Sequence, residues 1–331
     1  LQIQGPPASQ GELVAKMAPA PEARLEANTD HKPCTTCKAQ APEGVLAKLS
    51  KLAFARADAA DRNVYRRNLR ARTSDFSHVE ENMKRTCGFS VKDFAKKIEQ
   101  MRGDSVLQTE DFLAILTQES DGICYPAGTI GGRSINSGLF QINRRYVKKY
   151  RACTSHQIAT LKTMTFDAME TSPAVQCLEN PIVNLKEAIR TAKEKRDALL
   201  ADGRGFDGDQ ISKEDVKRLT LAAYNRGQRW ILQAKAELEA FNKAHGTSYD
   251  SHDWQNIRVS ILFGYLKHSD GVVKRGTHRT SSAAHNLAYV ENLVGGGPAQ
   301  GEPSLAERWA RVLNKSKLAV VELWKDLALQ S

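Results

Sequence analysis

The sequence predicts a mainly helical protein. Apolar residues return at intervals of three and four along most of the chain, which is the spacing of one helix face. Runs of alternating β-branched and aromatic residues are short and broken by charge, so strand signals are scarce. At 331 residues the chain exceeds the usual length of one domain, so one domain with helical additions or two packed domains is expected. Hydrophobic residues at 41% and charged residues at 26% give a globular composition able to bury a sizeable core.

Residues 1–43 hold several prolines and scattered charge with little periodicity, and read as an extended tail tied down, if at all, through Cys34 and Cys37. A helical region follows over 44–104. Val45, Leu46, Leu49 and Leu52 share one helical face there, and Phe89, Val91, Phe94, Ile98 and Met101 share another. Residues 105–295 lie between this region and the glycine break. Gly295, Gly296, Gly297 and Pro298 then break the chain before a C-terminal amphipathic helix over 296–331, carrying Leu305, Trp309, Val312, Val320, Leu323, Trp324 and Leu327. It is expected to pack on the domain, a partner-binding role being the alternative.

A formal net charge of +10 favours a polyanionic partner, and nucleic acid and bacterial cell wall both qualify. The chain has no zinc-finger spacing, aromatic RNA-binding signature or long basic helix, so no nucleic-acid partner is expected. Cys34, Cys37, Cys87, Cys124, Cys153 and Cys177 form an even set, which fits up to three disulfides and an oxidising compartment, with the connectivity open. A metal site at Cys34 and Cys37, with His31, is the rival reading. One CxxC without a second pair is thin support for it, and no metal is expected. The chain opens on Leu1 and has no apolar run long enough to cross a bilayer. A removed export signal and a periplasmic or secreted location are the corresponding expectation.

One segment carries chemistry. In TEDFLAILTQESDG, residues Phe112, Ile115, Leu116 and Glu119 fall on one helical face, with Gly122 a natural stop beyond. A carboxylate on that face in the last turn loses hydration and meets the negative end of the helix dipole. Both effects raise its pKa toward the range of a general acid. A glutamate at a frayed end that simply reaches water is the alternative. Beyond a loop of Pro126, Gly128, Gly131, Gly132 and Ser134 comes NSGLFQIN, Asn136 to Asn143. Further on lie LENPIVNLKEAI (Leu178 to Ile189), AAYNRG (Ala222 to Gly227) and AYVENL (Ala288 to Leu293). Ser212 and Asp215 make a capping box for a helix that delivers Tyr224, Asn225 and Arg226 to its end at Gly227.

The Glu119–Ser120 pair followed by SGLFQIN resembles the catalytic element of soluble lytic transglycosylases and goose-type lysozymes, and the corresponding segment of animal lysozymes. AAYNRG is similar to the transglycosylase AYNAG motif, AYVENL to its late helix, and LENPIVNLKEAI to its DPxxNI helix start, with Asn184 at the matching asparagine. The resemblance covers roughly residues 105–295. It implies a lysozyme-like helical catalytic domain with a substrate cleft, flanked by additional N- and C-terminal helices, and an enzyme acting on peptidoglycan glycan strands as a monomer. Glu119 is then catalytic, with substrate contacts from Ser120, Asn136, Ser137, Gln141, Tyr224, Asn225 and Tyr289. For each tyrosine ordinary core packing is the alternative, and for Gln141 a buried amide holding loop backbone.

Glycoside hydrolysis normally uses two carboxylates. Where animal lysozymes carry the second, this chain has Asn136, and Asp121 is either a water- or amine-facing acid or a solvated loop residue. The transglycosylase resemblance implies a single glutamate acting first as acid and then as base, with no cofactor. A chitinase- or chitosanase-like hydrolase and a non-catalytic wall-binding protein are the competing readings.

Overall fold

The computed structural model describes residues 76–125, 136–201, 205–246, 248–258, 260–261, 286–287, 289–294, 304–305 and 307–311. Backbone proximity divides the chain into Leu1–Gln40 and Ala41–Ser331. The first unit lies outside the described residues, as do Val45 to Leu52, Cys34 and Cys37, the loop at 126–135, the glycine break at 295–298 and the chain beyond 311. The second unit is mainly helical. Its elements are α1 (Ser77–Cys87), α2 (Val91–Arg102), α3 (Thr109–Ser120), β1 (Asn136–Ser137), β2 (Ile142–Asn143), α4 (Ser155–Leu161), α5 (Phe166–Thr171), a 3₁₀ turn (Pro173–Val175), α6 (Pro181–Leu200), α7 (Lys213–Arg226) and α8 (Gln228–His245). Helical residues recur at 254–258, 289–294 and 307–311. The two short strands pair antiparallel, Asn136 opposite Asn143 and Ser137 opposite Ile142.

Local signals set the helix starts. Ser90 accepts from the Asp93 N–H at the head of α2. Phe89 precedes that cap, outside the helix, and its ring stacks on Phe94 at 5.3 Å. Phe89 thus acts as a staple between the residue before the cap and the first full turn, and is not a member of the helix face its spacing indicated. α6 opens on Asn180, whose side chain accepts from the Ile182 N–H at 2.9 Å, with Pro181 at the first helical position where no donor is needed.

α6 is the centre of the unit, packing on α7, α8, α2, α5 and β2. Its first turn is buried all round, through Pro181, Ile182, Val183, Asn184 and Leu185, as a helix end in a core must be. α3 is buried along Phe112, Leu113, Ala114, Ile115, Leu116 and Thr117. α1 and α2 share this core, and so does the described part of the last segment: Leu305 and Trp309 are buried. The Trp309 ring stacks on Phe76 at 4.0 Å, and its indole N–H reaches Thr117 Oγ1 at 3.0 Å. The described part of the C-terminal segment therefore packs against α3.

Two disulfides, Cys87–Cys124 and Cys153–Cys177, close loops of 37 and 24 residues. They fit an oxidising compartment, and no described helix is long and apolar enough to cross a membrane. Loop closure removes freedom from the unfolded chain, so replacing Cys153 and Cys177 together by serine is expected to lower stability by about 3 kcal/mol in denaturant titrations.

Candidate active site

α3 delivers Glu119 at its last turn, half-buried. The helix ends one residue earlier than glycine placement indicated, because Asp121 itself takes the left-handed conformation at φ 51° and returns its N–H to the Thr117 carbonyl. Gly122 follows at φ 76°, and a side chain there would meet Val79 and Met83 of α1 at 2.8–3.0 Å. α1 then straps down the turn. Asn82 Nδ2 donates to the Asp121 carbonyl at 3.0 Å, Thr86 Oγ1 accepts from the Cys124 N–H at 3.1 Å, and the Cys87–Cys124 disulfide closes the strap. The Asp121 carboxylate lies 3.9 Å from His78 Nε2 of α1. Ser120 donates its hydroxyl back to the Leu116 carbonyl at 3.0 Å, so it closes its own helix.

The turn between β1 and β2 is fixed chiefly at Phe140. Its ring is fully buried, 6.2 Å edge-on to Phe112 and 6.3 Å from Phe94. Its N–H donates to Asn184 Oδ1 at 2.8 Å, and its carbonyl accepts the Tyr224 hydroxyl at 3.2 Å. The Asn184 amide also donates to the carbonyls of Ser137 and Leu178, at 2.9 and 3.0 Å. Gly138, at φ 72°, passes so close to that amide that a Cβ would sit 2.5 Å from it.

The predicted residues divide within this frame. Gln141, at φ 47°, donates its side-chain amide to the Gly138 carbonyl at 2.8 Å, so this amide holds loop backbone. Ser137 is fully buried with its hydroxyl bonded to Arg144, which leaves its side chain facing the interior and not a cleft. Arg144 continues at 2.6 Å to Glu179, a buried carboxylate that also accepts the Cys153 N–H at 2.6 Å. Asn136 is half-buried at the edge of the hairpin.

α7 begins with half of the expected capping box, Ser212 accepting from the Asp215 N–H while the Asp215 carboxylate takes the Ser212 hydroxyl and the Trp254 N–H, and it ends at Gly227 with φ 99°. Ala222 and Ala223, in its last turns, are buried, and the helix packs on α6. Tyr224 is half-buried and Asn225 exposed. Burial, reinforced by the charge of Glu119, holds the Tyr224 phenol well above its ordinary pKa of 10.0. Glu119 therefore acts electrostatically on a tyrosine whose hydroxyl is tied to Phe140. Tyr289 is buried, and its helical stretch is joined to both neighbours through asparagines: Asn286 Nδ2 donates to Asn225 Oδ1 and the Ala222 carbonyl, both at 3.0 Å, and Asn292 Nδ2 to Gln118 Oε1 at 2.6 Å. Phe140, Asn286 and Asn292 were not singled out from the sequence. The apolar position of GLFQIN was the signal for Phe140, and nothing local marks the two asparagines.

A separate open cleft of about 760 Å³ lies between α1, α2 and the start of α5, lined by Lys84, Phe89, Lys97, Met164 and Phe166, and contains none of these residues. No family model, curated protein or solved structure matches the chain.

The amide of Asn184 and the bare Cα of Gly138 act as one unit. Asn184→Ala is expected to cost about 3 kcal/mol, since it orphans the buried donor and acceptors it served. Gly138→Ala is expected to cost about 2 kcal/mol through strain at positive φ and the clash. The double variant should lose less than the sum, because Asn184→Ala removes what the new methyl strikes. Additive urea-denaturation losses would contradict this coupling.

Burial first, then the charge of Glu179, raises the Tyr125 phenol as well. Above the ordinary value of 10.0 the unfolded chain releases phenolic protons that Tyr125 and Tyr224 keep in the fold, so the unfolded state binds fewer protons and stability falls as pH rises. Thermal unfolding measured from pH 9 upward should show this fall, and a shallower one in the Tyr125→Phe, Tyr224→Phe variant.

Proposed function

We propose that this protein cleaves the β-1,4-linked glycan strands of peptidoglycan, by a lysozyme or lytic transglycosylase mechanism on a lysozyme-like helical domain, with Glu119 as its one catalytic carboxyl group. The observation that carries the reading is the charge of Glu119 acting on Tyr224, whose hydroxyl is tied to the Phe140 carbonyl. Glu119 and Tyr224 belong to separate motifs more than a hundred positions apart, yet lie within electrostatic reach of each other. The Asn184 contacts with Ser137 and Phe140, and the Asn292 contact with Gln118, add the remaining two motifs to the same cluster.

Glu119 protonates the glycosidic oxygen as the C1–O bond breaks. The substrate's own acetamido group stabilises the cationic centre, and no enzyme ester forms. The Glu119 carboxylate then takes the proton of the C6 hydroxyl as that oxygen closes on C1, which yields a 1,6-anhydro sugar and restores the acid. Two observations favour this route over double displacement. Position 136 carries an amide, which cannot serve as nucleophile or base, and the Asp121 carboxylate lies toward His78 of α1. Tyr224 and Asn225, at the end of α7, and Asn136 line the glycan path, while Ser120, whose hydroxyl closes its own helix, supports it. Ser137, Gln141 and Tyr289 support it. The disulfides suit a periplasmic or secreted setting, where this polymer lies.

Turbidity loss of purified sacculi tests the proposal. Glu119→Gln is expected to slow clearing at least about a thousandfold, and wild-type products should be one water lighter than hydrolysis products. Equal clearing by both proteins, or by neither, removes the catalytic reading and leaves a wall-binding protein; activity on chitosan alone transfers it to that substrate.

A further inference from the structure

Charge pairing on this protein is uneven. On α6, Lys186, Arg190, Lys193 and Arg196 each lie beside a carboxylate: Glu170, Glu187, Asp104 and Asp197 respectively. Residues 144–151, RRYVKKYR, are arranged differently. Arg144 turns inward to Glu179, and Val147 is buried in the core. The far end is fastened by the Cys153–Cys177 disulfide and by the Leu178 N–H on the Arg151 carbonyl at 2.9 Å. Between these anchors Arg145, Lys148, Lys149 and Arg151 stand exposed, and none of them pairs with an acid among the described residues. The chain offers none nearby in sequence, since no aspartate or glutamate occurs from Gly122 to Phe166. Tyr146 is 81% exposed in the middle of the run.

Like charges held together by a fixed backbone repel one another and raise the local potential, which favours binding of an anionic polymer. The geometry points to a cationic ledge, formed by Arg145, Tyr146, Lys148, Lys149 and Arg151, that grips the acidic stem peptides of the strand whose glycan lies at Glu119. The assignment rests on the function proposed above. Continuity selects this partner. Arg144 and Arg145 directly follow Asn143 of β2, the strand paired with Asn136. A glycan strand lying along Asn136, as proposed above, therefore meets the ledge at its start, and its side branches carry carboxylates at regular intervals. Tyr146 supplies a flat apolar face between the cations for the peptide to lie against.

Co-sedimentation with sacculi stripped of phosphodiester-linked polymers tests this, in a Glu119→Gln background so that the polymer survives. Against that parent, the variant that also carries Arg145→Ala, Lys148→Ala, Lys149→Ala and Arg151→Ala should bind about tenfold more weakly, the sum of several exposed ion pairs. Added salt should weaken the parent far more than the variant. All four side chains are exposed, so an unchanged melting temperature is expected and shows that the fold is intact. Equal binding by parent and variant overturns the ledge, as does parent binding that vanishes when phosphate polymers are stripped, or competition by duplex DNA stronger than by soluble stem-peptide fragments. Clearing by the Glu119-intact protein is scored separately. If stripped sacculi are bound through the ledge but never cleared, catalysis fails and the ledge stands; if they are cleared equally with and without the four cations at low salt, the ledge fails and catalysis stands.

Discussion

The site depends on the peptide unit at Phe140. A turn between two-residue strands has almost no stability of its own, yet this one is held on three sides. The Phe140 ring enters the cluster of Phe94 and Phe112, its N–H reaches Asn184, and its carbonyl receives the Tyr224 hydroxyl. Burying such a ring contributes roughly 2–3 kcal/mol and each hydrogen bond about 1 kcal/mol, enough to hold a short turn in one geometry. α2 and α3 together supply the first of these holds, α6 the second and α7 the third, so the turn registers the position of four helices at once.

Neutral amides make most of the other ties. Asn184 joins α6 to the turn, Asn286 joins the late helical stretch to α7, and Asn292 joins it to α3 through Gln118. A carboxamide donates and accepts in fixed directions without carrying charge, so these supports bring no further ion to the neighbourhood of Glu119. The contrast is Glu179, a buried carboxylate matched by Arg144 and the Cys153 N–H on the other side of Ser137. Removing either partner of such a pair leaves a charge stranded in the interior. That ion pair anchors the start of the basic 144–151 run and leaves its other cations turned outward.

The two disulfides fit the same division of labour. Cys87–Cys124 fixes the chain just after Glu119, where Asp121 and Gly122 both adopt positive φ and packing alone has little helix to work with. Cys153–Cys177 fixes the basic run against the entry to α6. Both lie where irregular chain must be held still beside the proposed polymer path.

Much of this was legible in the sequence. Helical periodicity gave the class, and Ser212 and Gly227 bounded α7, because these depend on residues within a turn or two of one another; the single inward face drawn for α3 was not distinguished, since that helix is buried all round from Asp111 to Thr117. Local rules failed where tertiary contacts took over. Phe89 has the spacing of a helix face but serves as a staple, Asp121 ends α3 ahead of the glycine because α1 binds its carbonyl, and Ser137 turns inward to Arg144. The partners of Asn184, Asn286 and Asn292 could not be read from the sequence. An asparagine's local sequence does not say which distant backbone it will meet, and only the packed helices bring that backbone within hydrogen-bond reach.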